Sequence, residues 1–297
     1  MFIIKYRAVF FLLSVLLVAG SIVALVALGL RLSPDFTGGV IMEVEYPAAR
    51  PAIEQVRQQI VATDLAGISV QELGERGLLL RTKELTDDQH RALLSTLAVD
   101  KVAPLEKRFS SIGPAVGREL KQRGLTAIAI VVALIILYIT WAFRGVSRPV
   151  QSWKYGLIAI VALLHDITIP TGVFALLSHF YGVEADALFL TALLTILALS
   201  VNDTIVVFDR IRERLRGSSG ANFPELVGRS LDETIVRSIN TSLTVILVLL
   251  AIFFFGSQST KYFSLILAIG MIVGTYSSIF IASPLLVVWE KFSRRVK

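Results

Sequence analysis

The chain is dominated by long apolar stretches separated by short polar segments. A helix needs about 20 apolar residues to cross the roughly 30 Å of hydrocarbon in a bilayer. Six stretches meet this length, at 8–30, 124–143, 155–177, 186–208, 236–256 and 262–289. They predict six membrane-spanning helices, which we call the first to the sixth span. The first is longer than the apolar core of an ordinary signal peptide, so we expect it to remain as an uncleaved helix.

The polar segment between the first two spans has its own pattern. Alternation predicts strands at Val40–Tyr46, Ile68–Leu73, Leu78–Thr82 and Lys101–Phe109, with a turn at Gly74–Gly77 and helices after Pro51 and after Thr86 as N-cap. The order βαββαβ indicates a ferredoxin-like domain. We therefore expect an α-helical polytopic membrane protein with one small external α+β domain, divided as 1–30 (first span), 31–123 (external domain) and 124–297 (second to sixth spans).

Basic residues are unequally distributed among the short loops. They follow the second and fourth spans and end the chain, as Arg144, Arg148, Lys154, Arg210, Arg212, Arg214, Arg216, Arg229, Lys291, Arg294, Arg295 and Lys297. The loop after the third span has none, and the loop after the fifth has only Lys261. Because short cytoplasmic loops carry the excess of Lys and Arg, both termini are predicted to be cytoplasmic. The segment 31–123 then lies on the trans side of the membrane, which is the periplasm in a Gram-negative cell.

Composition supports this interpretation and excludes several functions. Hydrophobic residues make up 55% of the chain and the mean hydropathy is +0.72, which is too apolar for a soluble domain. The chain has no cysteine and only three histidines without metal-ligand spacing, so we expect no disulfide, metal or other cofactor. The basic balance follows membrane topology, so we expect contact with membrane lipids and none with nucleic acid.

Polar groups inside the spans are the candidates for function, because each is costly in hydrocarbon. The fourth span contains Asp203, flanked by Asn202 and Thr204. The fifth carries a polar stripe at helical spacing, formed by Arg237, Asn240, Thr241 and Thr244. The antiparallel course of these spans makes an ion pair between Asp203 and Arg237 plausible. The third span adds His165 and Asp166, with Pro170 and Gly172 as possible kink points.

These groups have two interpretations. They are either static interhelical bonds that fix packing or a site that binds and releases an ion. A carboxylate in a membrane span beside an arginine suits reversible protonation. Arginine stays charged, so it serves either to bias that protonation or as a fixed counter-ion. The basic run Arg210–Arg216 fits a helix end held at anionic lipid.

Five motifs in order along the chain resemble one family. They are Pro34–Gly39 with Asp35, Gly38 and Gly39; Gly113–Gly117 with Pro114; His165–Asp166; Val201–Glu213; and Arg237–Thr244. Together they resemble the SecF branch of the SecD/SecF family of protein-export membrane proteins, of the RND superfamily type. The glycine and proline motifs beside the first and second spans have a structural role in this interpretation.

The resemblance implies a partner and a mechanism. A six-span chain pairs with SecD, and Asp203 and Arg237 form an ion relay for H⁺ or Na⁺. The other polar residues within the spans support that relay. The pair assists preprotein translocation through the SecYEG translocon and contacts SecA only indirectly. The chain has no GxxxxGK[ST] motif, so we expect no ATPase or other enzyme activity of its own.

Two alternatives remain. One is half of an RND-like exporter of small molecules or lipids, although such exporters usually have larger external insertions than the single segment seen here. The other is a scaffold that stabilises the translocon without moving ions.

Overall fold

The computed structural model describes residues 2–63, 67–98, 103–144, 150–217 and 222–295. It divides into two compact units. The membrane unit comprises Met1–Arg31, Thr126–Val183 and Leu188–Lys297, and the external unit comprises Leu32–Leu125 and Glu184–Ala187. Among the basic residues used to predict topology, Arg148 and Lys297 lie outside the described residues.

The elements follow the predicted order. They are α1 (Phe2–Lys5), α2 (Arg7–Leu28), α3 (Pro34–Thr37), β1 (Gly39–Glu45), α4 (Ile53–Val61), β2 (Ser69–Leu73), β3 (Gly77–Thr82), α5 (Asp87–Thr96), β4 (Leu105–Ile112), α6 (Pro114–Ala142), α7 (Ser152–Tyr181), α8 (Ala187–Gly217), α9 (Phe223–Phe255), α10 (Gln258–Ser277), a π-helical turn (Ser278–Ala282) and α11 (Ser283–Arg295).

Among the residues that the structure describes, six helices are long and apolar enough to cross a membrane, which confirms the prediction. They are α2, α6, α7, α8, α9 and the continuous run Ser259–Ser293 that joins α10, the π-helical turn and α11. Several extend beyond the apolar stretches, because hydropathy detects only the part of a helix that lies in hydrocarbon. The second span, for example, begins at Pro114, where a proline suits the first turn of a helix.

The spans fall into two groups by burial within this chain. Half or more of the most apolar window is buried in the third, fourth and sixth spans (56%, 50% and 67%), against 6%, 6% and 17% in the first, second and fifth. The third, fourth and sixth spans therefore form the interior of the membrane unit.

Small residues let these helices approach closely. A Cβ added at Gly172 of α7 would lie 2.5 Å from Ser21 Cα of α2, and one at Gly274 of α10 would lie 3.1 Å from Ser200 Cβ of α8. Interfaces in membranes depend on such contacts because lipid tails are as apolar as leucine, which leaves packing and hydrogen bonds to hold helices together.

The external unit contains a four-stranded antiparallel sheet with strand order β2-β3-β1-β4. Its core consists of alternate residues of the strands and one face each of α4 and α5: Met42, Val44, Tyr46, Val56, Ile60, Val70, Leu78, Leu80, Leu93 and Leu97. This arrangement confirms the ferredoxin-like prediction. The buried Tyr46 hydroxyl donates to the Leu97 carbonyl at 2.8 Å, and desolvation raises the pKa of Tyr46 to about 12.

The last strand lies further along the chain than the sequence predicts. It spans Leu105–Ile112 rather than Lys101–Phe109, and Lys101 lies outside the described residues. Leu105 and Phe109 are exposed, so the apolar alternation that would set its limits is weak. The Thr86 cap is present as a full capping box with Gln89. Residues 184–187, which the sequence divides between the loop after the third span and the start of the fourth span, belong to the external unit.

The Gly172 contact gives a stability test. Gly172→Ala forces a methyl group against the Ser21 backbone, and such overpacking costs about 1–3 kcal/mol. We expect a fall of several degrees in the unfolding midpoint, measured in detergent by the fraction that remains monodisperse after heating. Gly20→Ala is the matched control, because nothing lies within 4 Å of that Cβ position. Equal midpoints for the two variants would contradict the packing at Gly172.

Candidate functional site

Asp203 lies where three spans meet. Its side chain is 7% exposed, and its Oδ2 accepts hydrogen bonds from Thr275 Oγ1 of α10 at 3.1 Å and Ser242 Oγ of α9 at 3.4 Å. The two hydroxyls also contact each other at 2.5 Å. The carboxylate of the fourth span is thus held by hydroxyls from the fifth and sixth.

Asp166 forms a second buried carboxylate centre on the third span. It is fully buried, and its Oδ1 lies 2.8 Å from His165 Nδ1. Its Oδ2 accepts from Ser277 Oγ of the sixth span at 2.7 Å and from Ser200 Oγ of the fourth span. Neither Lys nor Arg forms an ion pair with this carboxylate among the described residues, so hydroxyls and one imidazole satisfy it.

The two carboxylate centres share the same helices. Ser200 and Asp203 lie one turn apart on α8, and Thr275 and Ser277 lie two residues apart on α10. The π-helical turn begins directly afterwards at Ser278; such turns are frequent at functional sites. A shift of the fourth or sixth span would therefore change the hydrogen bonds of both carboxylates together.

The third span is locally irregular at the same level. Pro170 lies inside α7 and has no N–H to donate, so the backbone carbonyl of Asp166, four residues earlier, loses its helical partner. The neighbouring His165 ring stacks with Tyr276 at a centroid distance of 6.2 Å. Tyr276 donates to the Phe10 carbonyl of the first span at 2.9 Å. The second centre thereby also includes the first span.

Arg237 lies on a different face of α9 from the residue that binds Asp203. Its side chain and that of Asn240 are exposed, whereas Ser238 and Ser242 are buried. Consecutive residues of a helix differ by about 100°, so the polar stripe and the buried hydroxyls occupy neighbouring faces. No ion pair between Asp203 and Arg237 is present among the described contacts, in which Asp203 accepts hydrogen bonds from Thr275 and Ser242.

The hydroxyls of the stripe are satisfied within their own helix. Thr241 Oγ1 donates to the Arg237 carbonyl at 2.9 Å, and Thr244 Oγ1 donates to the Asn240 carbonyl at 2.8 Å. The guanidinium of Arg237 and the amide of Asn240 are the remaining polar groups of the stripe. On the fourth span, Thr204 is buried and Asn202 is exposed.

The glycine-containing motifs meet in the external unit. A Cβ at Gly38 would lie 2.5 Å from Pro114 Cα, and one at Gly117 would lie 2.6 Å from the Gly38 nitrogen. Gly38 and Gly39 have positive φ, at 79° and 136°, which glycine adopts without strain. Nothing lies within 4 Å of a Cβ at Gly113, so space does not require glycine there.

Asp35, in the first of these motifs, has a specific partner. Its Oδ2 accepts a hydrogen bond from the backbone N–H of Ala187 at 3.0 Å. Ala187 is the first residue of α8, so this motif contacts the beginning of the fourth span.

The hydropathy of the sixth span does not predict its functional hydroxyls. Thr275 and Ser277 bind the two carboxylates, yet they lie within a stretch that is apolar on average. A signal was present in the run Gly274–Ser278, where three hydroxyl residues and a tyrosine interrupt an otherwise apolar helix. Polar residues in a span need a partner, and that requirement applied here too.

Comparison with known proteins now identifies the family. The family described as "Protein export membrane protein SecD/SecF, C-terminal" matches residues 94–292. The protein translocase subunit SecF of Thermobaculum terrenum is 44% identical over 301 residues, which cover 97% of this chain and 93% of the relative. This chain belongs to the SecD/SecF family.

Other members of the SecD/SecF family also match this chain in sequence or in structure. The SecF of Anaerolinea thermophila is 39% identical over 289 residues, which cover 96% of this chain and 92% of the relative. The crystal structure of SecDF from Thermus thermophilus matches with a TM-score of 0.84 at 32% identity, covering 97% of this chain and 38% of that longer one. A SecDF structure described as a super-membrane-facing form matches with a TM-score of 0.66 over 98% of this chain and 38% of its own.

The Asp166 centre generates a prediction. Ser277→Ala removes one donor from a fully buried carboxylate, and an underbonded buried group costs about 1–3 kcal/mol. We expect a clearly lowered unfolding midpoint in detergent. Thr244→Ala is the matched control, because that hydroxyl is exposed and bonds only to its own helix. If the two variants unfold alike, the Ser277 hydrogen bond does not stabilise the fold.

Proposed function

We propose that this chain is the SecF subunit of a SecD–SecF pair that uses an H⁺ or Na⁺ gradient to assist preprotein export on the trans side of the bacterial cytoplasmic membrane. The observation that carries the proposal is Asp203. It is a buried carboxylate in a membrane span, and its hydrogen-bond donors among the described residues are hydroxyls.

Such a carboxylate suits reversible ion binding. A hydroxyl can donate to an ionised carboxylate and can turn to accept from a protonated one, so Ser242 and Thr275 accommodate either state. The same carboxylate and hydroxyl oxygens are hard donors of the kind that Na⁺ takes, so both ions remain candidates. A carboxylate in a permanent ion pair with a basic side chain would stay ionised and would not take up a proton.

Arg237 supplies the fixed charge of the proposed relay. It does not pair with Asp203, so it does not neutralise the carboxylate permanently. A fixed positive charge on the neighbouring span favours the ionised form of an acid, and this is the role that we assign to Arg237. A second acid brought against Arg237 would compete for that charge and change the ease with which Asp203 takes up an ion.

The exposed stripe on α9 indicates where a partner binds. A guanidinium against hydrocarbon is costly, so we infer that another polypeptide covers the exposed face that carries Arg237 and Asn240. We assign this partner as SecD. A fused SecDF chain of Thermus thermophilus supports the assignment, because it is 33% identical to 89% of this chain over only 35% of its own length.

The wider assembly follows from this role. The pair would act beside the SecYEG translocon, with SecA as the separate ATP-driven component, and the external unit would contact the emerging preprotein.

Both termini would be cytoplasmic. The ends of α8 and α9 on that side are joined by Glu233, which pairs with Arg210 at 2.5 Å and with Arg214. The chain would be a transport subunit without enzyme activity of its own.

Asp203→Asn tests the relay directly. The amide retains the shape of the side chain but cannot release a proton or bind a cation strongly. In cells depleted of their own SecF and supplied with this chain and its SecD, we expect export of a secretory precursor to fall to the level of the empty vector. Export is measured by pulse-labelling, and membrane levels are checked by blot.

Asp209→Asn is the matched control for Asp203→Asn, because Asp209 lies on the same helix but is exposed. It should leave export unchanged. Full activity of a correctly inserted Asp203→Asn variant would refute the relay and favour the scaffold function.

The partner assignment has a separate test. The chain has no cysteine, so any thiol crosslink to this chain must form at the single cysteine that a substitution introduces. Asn240→Cys is expected to form a crosslink to SecD with a short bifunctional reagent in membranes, detected as a band that contains both chains. Ile239→Cys is also exposed (46%) but lies about 100° around the helix and should react much less. Equal crosslinking at both positions would contradict a partner on the stripe.

A further inference from the structure

The Pro34–Gly39 motif has a contact that the ion relay does not explain. Asp35 Oδ2 accepts the backbone N–H of Ala187 at 3.0 Å. Both residues belong to the external unit. Ala187 begins α8, the helix that carries Asp203. The first N–H groups of a helix have no partner within the helix, and a carboxylate is favoured there by the helix dipole.

Three further contacts join residues 184–187 to the rest of the external unit. Ser33 N–H donates to the Ala185 carbonyl at 2.9 Å, and Leu32 and Ala185 form a parallel bridge. Arg81 of β3 pairs with Glu184 at 3.4 Å, and both side chains are 15% exposed. The segment that enters the fourth span is therefore bound to the domain through both backbone and side-chain contacts.

Asp35 is itself held in a fixed position. It lies in the short helix α3, where Ser33 Oγ accepts the Asp35 N–H at 3.2 Å. The chain leaves this helix through Gly38, whose backbone lies against Pro114 and Gly117. The Pro34–Gly39 and Gly113–Gly117 motifs therefore pack together beside the Asp35 carboxylate. Their close backbone contact explains why Gly38 and Gly117 have no side chain.

We propose that Asp35 is a positioning residue that couples the external unit to the ion relay by holding the first turn of the helix that carries Asp203. The inference rests on the proposed function. A helix transmits displacement along its axis, so a change of hydrogen bonding at Asp203 reaches Ala187 through a continuous element. Without the Asp35 carboxylate, the first residue of that helix loses this hydrogen bond.

The test separates coupling from simple folding. Asp35→Ala removes the acceptor, Asp35→Asn retains an oxygen acceptor without charge, and Ala187→Pro removes the donor. Proline is well tolerated at the first helical position. Each variant is expressed with SecD in full-length form, and export is measured in inverted membrane vesicles with and without an ion gradient.

We expect Asp35→Ala and Ala187→Pro to reduce the gradient-dependent part of export about tenfold and to leave the gradient-independent part unchanged. Asp35→Asn should retain most of it. The double variant should be no worse than either single variant, because both remove the same bond. Thr86→Ala is the matched control, because it removes the cap of α5 in the same unit and should not affect gradient dependence.

Three outcomes would overturn the inference. These are normal gradient dependence in Asp35→Ala, additive effects in the double variant, and an equal loss in Thr86→Ala. Hydrogen exchange of the amides of residues 188–191 gives a second readout, because it should speed up in Asp35→Ala and not in Thr86→Ala. Asp203→Asn in the same vesicles distinguishes the proposals: if it keeps gradient dependence, the relay itself fails, and if only Asp35→Ala keeps it, the coupling fails.

Discussion

The membrane unit depends on the cost of keeping two carboxyl groups inside hydrocarbon. A buried acid must be hydrogen-bonded or paired with a cation, because desolvation otherwise outweighs all packing gains. This chain uses hydroxyls from neighbouring helices, at Ser242 and Thr275 for Asp203 and at Ser200 and Ser277 for Asp166. Hydroxyls reach only a short distance, so the third, fourth and sixth spans must lie close together. The glycine at position 274, against Ser200, allows that approach.

The charged groups of the fourth and fifth spans differ in their surroundings. Asp203 is satisfied within the chain, whereas Arg237 and Asn240 are exposed on the fifth span. A guanidinium against lipid is costly, so the exposed face of the fifth span suits contact with a second polypeptide. The first, second and fifth spans are also the least buried, as expected of helices that contact lipid or a second subunit. Membership of the SecD/SecF family gives this incomplete surface a natural partner.

Much of the fold could be predicted, because its patterns are local. Hydropathy defines the spans, and the alternation of apolar and polar residues defines a ferredoxin-like sheet. This alternation is weak around Leu105 and Phe109, so the predicted bounds of the last strand were wrong. Asp203 and Asp166 were identifiable because an acid in a span is rare. Their partners were not, because Thr275 and Ser277 can equally satisfy their own helix. The face that Arg237 presents was also undetermined, since two neighbouring faces of α9 carry polar groups.

The helix that carries Asp203 is bonded to other elements at its first residue and near its end. At the start of the helix, Ala187 is bonded to Asp35. Near its end, Arg210 and Arg214 pair with Glu233 of the fifth span. Asp203 lies between these attachments and contacts hydroxyls on two other helices. A change in its charge therefore cannot be absorbed by a free helix end, because both ends are tied to other elements. In the proposed function, a change in the hydrogen bonds of Asp203 therefore acts on a helix whose first residue is bonded to Asp35, as conversion of an ion gradient into movement requires.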